Sequence, residues 1–282
     1  MQKKYYFVFI LFLLVINVFA WQEVFALYDN NLKFYFLDVG QGDSAFIKTP
    51  ENHQIVIDGG PGSAVLEKIS KIVPFWDKSI DVVILSHPEK DHITGLIEIL
   101  KRYKVDYILQ TGVVRDGEQF KEWQILLEKQ KKMGAKIINV KLGDLAILGQ
   151  TKIEILYPFE DLTGLDVTKS ANETSVVNKI IYGENSFLFT GDISTKTENK
   201  INNLECDVLK VAHHGSKYST SELFLENTNS DFAVIGVGKN SYGHPTSEVL
   251  QRLQNYDIKI LRTDENKNII FSSDGKNLII KN

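Results

Sequence analysis

Cysteine is almost absent from this chain: Cys206 is the only one in 282 residues. No intramolecular disulfide can form and no multi-thiolate zinc knuckle can be built. Flanked by Leu204 and Val208, the thiol reads as core. Excess positive charge is lacking too. A formal net charge of −4 does not support nucleic-acid binding through a broad basic face, although a local groove stays open. Long apolar runs are confined to the amino terminus, and there is no repeat of fixed period, no low-complexity tract and no linker. With 43% apolar residues, the chain can bury a sizeable core. One domain is expected over residues 32–282.

At the amino terminus Lys3 and Lys4 precede an apolar run over 5–20, interrupted only by Asn17, with small residues at Ala20 and Ala26. A basic start, an apolar middle and a small residue near a boundary describe a secretory signal. The run is short for a spanning helix, which needs about 20 residues. Trp21 and Phe25 could extend it into an interface and leave an uncleaved anchor. Residues 1–26 are therefore expected to be a signal peptide or membrane anchor, and the chain extracytoplasmic, secreted or anchored. A buried amino-terminal helix is the plainer alternative.

Further on, Val82 to Leu85 reads as a buried strand, and the periodic apolar residues from Ile93 as a helix. Between them His87, Glu89, Asp91 and His92 crowd one turn. Carboxylates packed so closely repel one another unless something positive sits between them, as a cation held with two imidazoles would. A solvated turn with two surface histidines is the alternative. Three other apolar runs end in the same kind of residue: 54–57 at Asp58, 186–190 at Asp192, and 207–211 at His213 and His214. Sites in open α/β sheets form outside the carboxyl ends of strands. Four such endings point to a metal site. Strands also fall at 32–37, 45–47, 107–109, 136–140, 145–148, 152–156, 175–182 and 232–236. Helices fall at 64–72, 117–133, 221–226 and 247–256, and 160–172 reads as a loop. Strands alternating with helices, and hairpins between them, give two sheets covered by helices. Gly40-Gln41-Gly42 precedes a strand rather than a helix, so it is no dinucleotide loop and shapes the site floor instead. His53, in a hairpin turn, reads as surface.

His87-Pro88-Glu89-Lys90-Asp91-His92 resembles the His-x-[His/Asp]-x-Asp-His signature of metallo-β-lactamase-fold hydrolases. The hydrolase domain of ComEC-type competence proteins is similar in further stretches: 38–44, Asp58-Gly59-Gly60, 172–175, Gly191-Asp192, 209–216 and 240–245. The resemblance implies a four-layer αββα sandwich, α+β to α/β in class, with one or two divalent ions at one edge. By this resemblance His87 and Glu89 face one metal. Asp91, His92 and His213 face the other, Asp192 bridges, and Asp58 braces the turn. Glu89 departs from the histidine or aspartate usual there. A histidine of the wider superfamily is missing, with Asn172 or Ser175 nearest. The first metal position is then oxygen-rich, which favours manganese or magnesium, with zinc credible.

Two cations about 4 Å apart suit hydrolysis of a phosphodiester. Asp91 is expected to orient water as well as bind, and His214 or His244 to donate a proton or hold a phosphate oxygen. Ser216, Asn240 and Ser241 are candidate phosphate contacts that are equally good turn formers. The leading expectation is an exported metal-dependent phosphodiesterase, with DNA or another nucleic acid as substrate by resemblance. Hydrolysis of an envelope ester, such as a teichoic-acid phosphodiester, or of a lactam is the second. A catalytically silent binding module is the third. Contact with a membrane is expected only through an uncleaved amino terminus.

Overall fold

The computed structural model describes residues 2–27 and 31–281. Helix α1 (Gln2–Leu27) is followed by strands β1 (Leu32–Phe36), β2 (Ala45–Lys48) and β3 (Gln54–Ile57). Then come α2 (Ala64–Ser70), β4 (Ser79–Ile84), α3 (Lys90–Arg102), β5 (Lys104–Gln110), α4 (Glu118–Lys132) and β6 (Lys136–Asn139). The second half opens with β7 (Leu145–Leu148), β8 (Thr151–Tyr157), β9 (Val177–Tyr182), β10 (Asn185–Phe189), α5 (Thr195–Glu198) and β11 (Val208–Lys210). It closes with α6 (Glu222–Thr228), β12 (Phe232–Ile235), α7 (Ser247–Asn255), β13 (Lys259–Arg262), α8 (Thr263–Asn266), β14 (Ile269–Ser273) and β15 (Leu278–Lys281).

The strands make two sheets, ordered β15-β14-β1-β2-β3-β4-β5-β6 and β13-β12-β11-β10-β9-β8-β7. In β1 the alternation is direct: Leu32, Phe34 and Phe36 are buried while Lys33 and Tyr35 are half-buried. The inward set packs between the sheets, where Phe34 stacks on Phe187 and Phe271 meets Phe36 and Phe187 edge to face. Each such ring removes enough apolar surface from water to contribute about 1.5–3 kcal/mol. The second half of β4, Val82 to Ile84, is apolar and buried throughout because both its faces are covered. On its outer face lie α2, α3 and α4, with Trp123 fully buried. α6 and α7 cover the second sheet through Phe224, Leu225, Val249 and Leu253. Helix, sheet, sheet, helix is the four-layer sandwich expected.

α3 follows Glu89 as its N-cap residue, carries Asp91 in its first turn and ends in Lys101 and Arg102, an order that suits the helix dipole. It sits hard on the turn after β3. A Cβ on Gly95 would come within 1.8 Å of the Gly59 carbonyl oxygen. Gly59 N–H donates to the His92 carbonyl at 2.8 Å and Gly95 N–H to the Gly60 carbonyl at 3.0 Å.

The leader expected at 1–26 forms most of α1, with Met1 outside the described residues. Apolar side chains from Tyr5 to Phe19 are exposed rather than packed into the sandwich, so the plainer alternative of a buried helix is corrected. Among the described residues no helix is long and apolar enough to cross a membrane.

Candidate metal centre

One edge of the sandwich gathers the polar strand ends. Phe36, Ala45, Ile57 and Ile84 lie at one level of the first sheet. The chain beyond them supplies Asp43, Asp58, Ser86, His87, Asp91 and His92. From the second sheet, β10 leads into Gly191 and Asp192, and β11 into His213 and His214. Asp58, His213 and His214 hold φ of 55, 50 and 53°. Such left-handed geometry costs a non-glycine residue roughly 1–2 kcal/mol; here it aims three side chains into one space.

Hydrogen bonds fix how each imidazole presents itself. His92 Nδ1 lies 2.8 Å from Asp58 Oδ2, an oxygen that can only accept, so this nitrogen carries the proton. The same oxygen accepts from Ser86 Oγ at 2.6 Å, and Asp58 Oδ1 from the Ser86 amide at 2.8 Å. With its hydroxyl proton committed there, Ser86 Oγ accepts from His87 Nδ1 at 3.0 Å. His214 Nδ1 donates to the Gly236 carbonyl at 2.8 Å. All three rings therefore carry hydrogen on Nδ1 and turn Nε2 toward the same point, where a cation would take the place of any Nε2 proton. Among the described residues the buried Nε2 atoms of His87, His92 and His214 and Oδ1 of Asp192 have no hydrogen-bond partner.

Asp192 is the hub. His92 Nε2 lies 3.4 Å from its Oδ1. From its Oδ2, His214 Nε2 stands at 3.6 Å, and those of His87 and His213 at 3.8 Å each. His214 Nε2 also lies 3.2 Å from Asp91 Oδ2. These are separations that bonds of about 2.0–2.2 Å to a common cation produce. Two donor groups stand ready: His87, His92 and Asp192, and Asp91, His92 and His214. Asp43 and Asp58 also fall within such groups. However, Asp58 is engaged by His92 Nδ1, and Lys210 Nζ holds Asp43 Oδ2 at 2.7 Å. Imidazoles oriented by bonds on their far nitrogen, with carboxylates between them, fit a divalent cation.

Electrostatics agree. Burial and the neighbouring His92 push His87 down to about 4. Burial also works against charge on His214, but the carboxylates of Asp192 and Asp43 outweigh it and raise the ring to about 10. His92 is likewise raised against its burial by Asp192 and Asp58. Asp192, whose burial alone would raise it, is held well below the usual carboxylate range by His214 and His92. The carboxylates thus draw in positive charge, which protons or a cation supply.

The structure departs from the residue-by-residue expectation at several places. Glu89 does not face the centre: its carboxylate is taken by the Arg115 guanidinium, and Oε1 also accepts from the Ala171 amide at 3.1 Å. With His87 and His92 in one group, the first position is not oxygen-rich. His214, expected as a proton donor, sits in the donor cluster, whereas His213 lies at its rim, one-third exposed, with Nε2 3.3 Å from Asn172 Nδ2. Ser175 Oγ accepts from the Asp192 amide at 3.0 Å and lies 3.3 Å from His87 Nδ1. His244 stacks edge-on to His213 at 5.5 Å between ring centres. Asn240 spends its amide on its own loop, donating to the Gly238 and His244 carbonyls and accepting from the amides of Tyr242 and His244. Ser216 is buried beside Tyr218 and Ser241 is exposed; neither reaches the cluster. Sequence reasoning missed Asp43, Ser86 and Lys210. The glycines around Asp43 hinted at a site floor there, and the resembling stretches 38–44 and 209–216 contain Asp43 and Lys210 without giving them a role.

The sequence matches the family model described as Metallo-beta-lactamase superfamily over residues 37–239. It is 33% identical over 258 residues to ComE operon protein 3 of Bacillus subtilis (strain 168), covering 83% of this chain and 32% of that protein. It is 28% identical over 242 residues to Competence protein ComA of Neisseria gonorrhoeae, covering 84% and 31%. The chain spans about a third of the length of these relatives. Among solved structures, the metallo-beta-lactamase fold protein YhfI from Bacillus subtilis is similar at a TM-score of 0.57 and 13% identity, covering 86% of this chain and 100% of that one, a likeness of fold. The similarity to ComEC-type competence proteins expected from the motifs is present, and the chain belongs to the metallo-beta-lactamase superfamily.

Proposed function

We propose that this protein is an exported, metal-dependent phosphodiesterase whose substrate is DNA or another nucleic acid. One observation carries the reading: three imidazoles, each tied back through Nδ1, aim partnerless Nε2 atoms at the shared carboxylate Asp192. His87, His92 and Asp192 would hold one divalent cation, and Asp91 and His214 a second beside the same carboxylate. Bound there, zinc or manganese, or magnesium, supplies Lewis acidity and activates water.

The chain's own groups do the rest. Asp58 and Ser86 keep the rings of His92 and His87 in the binding tautomer. Asp91, part-exposed and 3.2 Å from His214, orients the attacking water. His213 and His244 line the rim, where a phosphate oxygen or leaving group would meet them. Tyr242, exposed and 5.8 Å from the His244 ring, and Tyr218, exposed beside Lys217, offer faces on which unpaired bases stack, a mode indifferent to net charge. One relative is named Competence protein ComA. Lys3 and Lys4, followed by the exposed apolar side chains of α1, support export, with the chain secreted or held at a membrane.

The test is metal analysis of the purified full chain beside cleavage of bis-p-nitrophenyl phosphate with manganese or zinc. Single-stranded DNA is then compared with choline-phosphate esters and a lactam. Metal-dependent cleavage of DNA supports the reading. Cleavage confined to the choline-phosphate ester or lactam replaces the substrate, and metal-free, inert protein points to a binding module.

A further inference from the structure

We propose that Phe75 and Trp76 form a second lipid contact, inserting into the interface of a bilayer at the end of the sandwich opposite the metal centre. The centre then faces away from the lipid. This rests on the reading of α1 as the segment that brings the chain to a membrane.

Strand register places the pair. Lys33 of β1 is opposite Lys48 of β2, and Lys48 is opposite Gln54 of β3. Gln54 Nε2 donates to Asp77 Oδ2 at 2.6 Å, and Asp77 directly follows Trp76. Two strand spacings of about 4.8 Å therefore separate the entry to β1 from the base of the aromatic turn. Leu32, where β1 begins, is five residues beyond Leu27, a link that spans at most about 17 Å. The carboxyl end of α1 and the aromatic turn thus belong to one end of the molecule. From Ser79, β4 runs about 20 Å to the opposite end, where His87 and His92 lie.

The two side chains are the wrong kind for an idle surface. Phe75 is 79% and Trp76 71% exposed, and the rings meet edge to face at 5.0 Å. The turn beneath them is braced: Asp77 N–H donates to the Pro74 carbonyl, and Asp77 Oδ1 accepts from the Ser79 amide and hydroxyl. Aromatic rings belong at the bilayer–water boundary, with one part apolar and another wet. Asp77 and Lys78, of opposite sign, directly follow the pair, and Lys48 acts on Asp77, so ring insertion rather than charge attraction drives the contact.

α1 needs the help. Its exposed apolar side chains run from Tyr5 to Trp21, a rise of about 24 Å against a hydrocarbon core of about 30 Å. One weak membrane signal binds reversibly, and two bind stably.

The experiment reconstitutes the full chain, as a Trp21→Phe variant, into phosphatidylcholine vesicles with brominated or ordinary acyl chains. Trp76 and the fully buried Trp123 remain as fluorophores. We expect flotation with the vesicles and bromine quenching that disappears on adding Trp76→Phe. Phe75→Ser with Trp76→Ser should lower vesicle partition about tenfold with metal content unchanged. Flotation with equal Trp76 emission in both lipids overturns the second contact and leaves the anchor standing. Failure to float overturns both.

Discussion

Asp58 Oδ2 and His92 Nδ1 lie 2.8 Å apart, both side chains buried, 34 residues apart in sequence. Asp58 stands in the left-handed region at φ 55°, which aspartate and asparagine tolerate better than other side chains. Its carboxylate thus reaches under α3 from the end of β3, and the bond decides which nitrogen of His92 is free.

Asp58→Asn keeps the backbone and the volume but offers an amide that can turn its NH2 toward His92 Nδ1. The ring is then free to take the other tautomer and lose its inward lone pair. Metal affinity should fall about 10–100-fold, the range seen when groups orienting a ligand are removed. Folding, followed by circular dichroism, should persist. An unchanged affinity in a zinc or manganese titration would show that the bond does not orient the ligand.

Removing the hub is more severe. Asp192→Asn leaves an amide facing the four imidazoles of His87, His92, His213 and His214, and the carboxylate that balances them is gone. Turnover of bis-p-nitrophenyl phosphate should drop by at least about a thousandfold, since both proposed cation positions share this group. Elemental analysis should register lost metal with the fold retained. Activity within a few-fold of the parent would remove Asp192 from the bridging role.

Glu89 gives the opposite expectation. Its carboxylate engages Arg115 and the Ala171 amide rather than the cluster. Glu89→Gln should therefore leave metal content unchanged and cost no more than about 1 kcal/mol of stability, as for partly exposed ion pairs. A loss of bound metal would restore Glu89 to the ligand set.

That contrast marks where the sequence stops being readable. His87, His92 and Asp192 were legible because each ends or follows an apolar run, and strand ends at one sheet edge must converge. Glu89 was not, because its direction is set by Arg115 and Ala171, partners brought in by tertiary folding. His213 and His214 are neighbours with similar chemistry. Which one enters the cluster depends on consecutive left-handed residues that carry no local signature in a non-glycine pair. Two sheets covered by helices were readable from periodicity, and their four-layer order from the family resemblance, whereas short α5 and α8 were not, having too few residues to show a period.

Protons and cations compete for this cluster, and the sign can be worked out. His214 is raised to about 10, and His92 is raised as well, in each case by carboxylates that outweigh burial. Both rings are protonated near neutral pH in the metal-free protein, so a cation must displace those protons. Affinity should rise with pH, by up to about tenfold per unit for each proton released. In the metal-free protein, the stability from the raised His214 is full below its unfolded value of 6.5. It is lost as pH climbs through about 10. Isothermal titration at several pH values, with denaturant curves for the metal-free form, measures both. A pH-independent affinity would mean that these rings are neutral before metal arrives.

The last expectation concerns packing rather than charge. Gly95 has no room for a side chain: its Cβ would meet the Gly59 carbonyl oxygen at 1.8 Å, a backbone atom that cannot swing aside. Gly95→Ala must push α3 away from the turn that carries Asp58, and α3 carries Asp91 and His92. Overpacking of this kind costs about 3 kcal/mol, and here it should also weaken metal binding, because the Asp58–His92 bond spans the same gap. Gly62, on the same turn with nothing within 4 Å of its Cβ position, serves as the control, and Gly62→Ala should change neither quantity. If Gly95→Ala lowered Tm without altering metal affinity, the contact would support the fold alone, and the link between helix seating and ligand geometry would be lost.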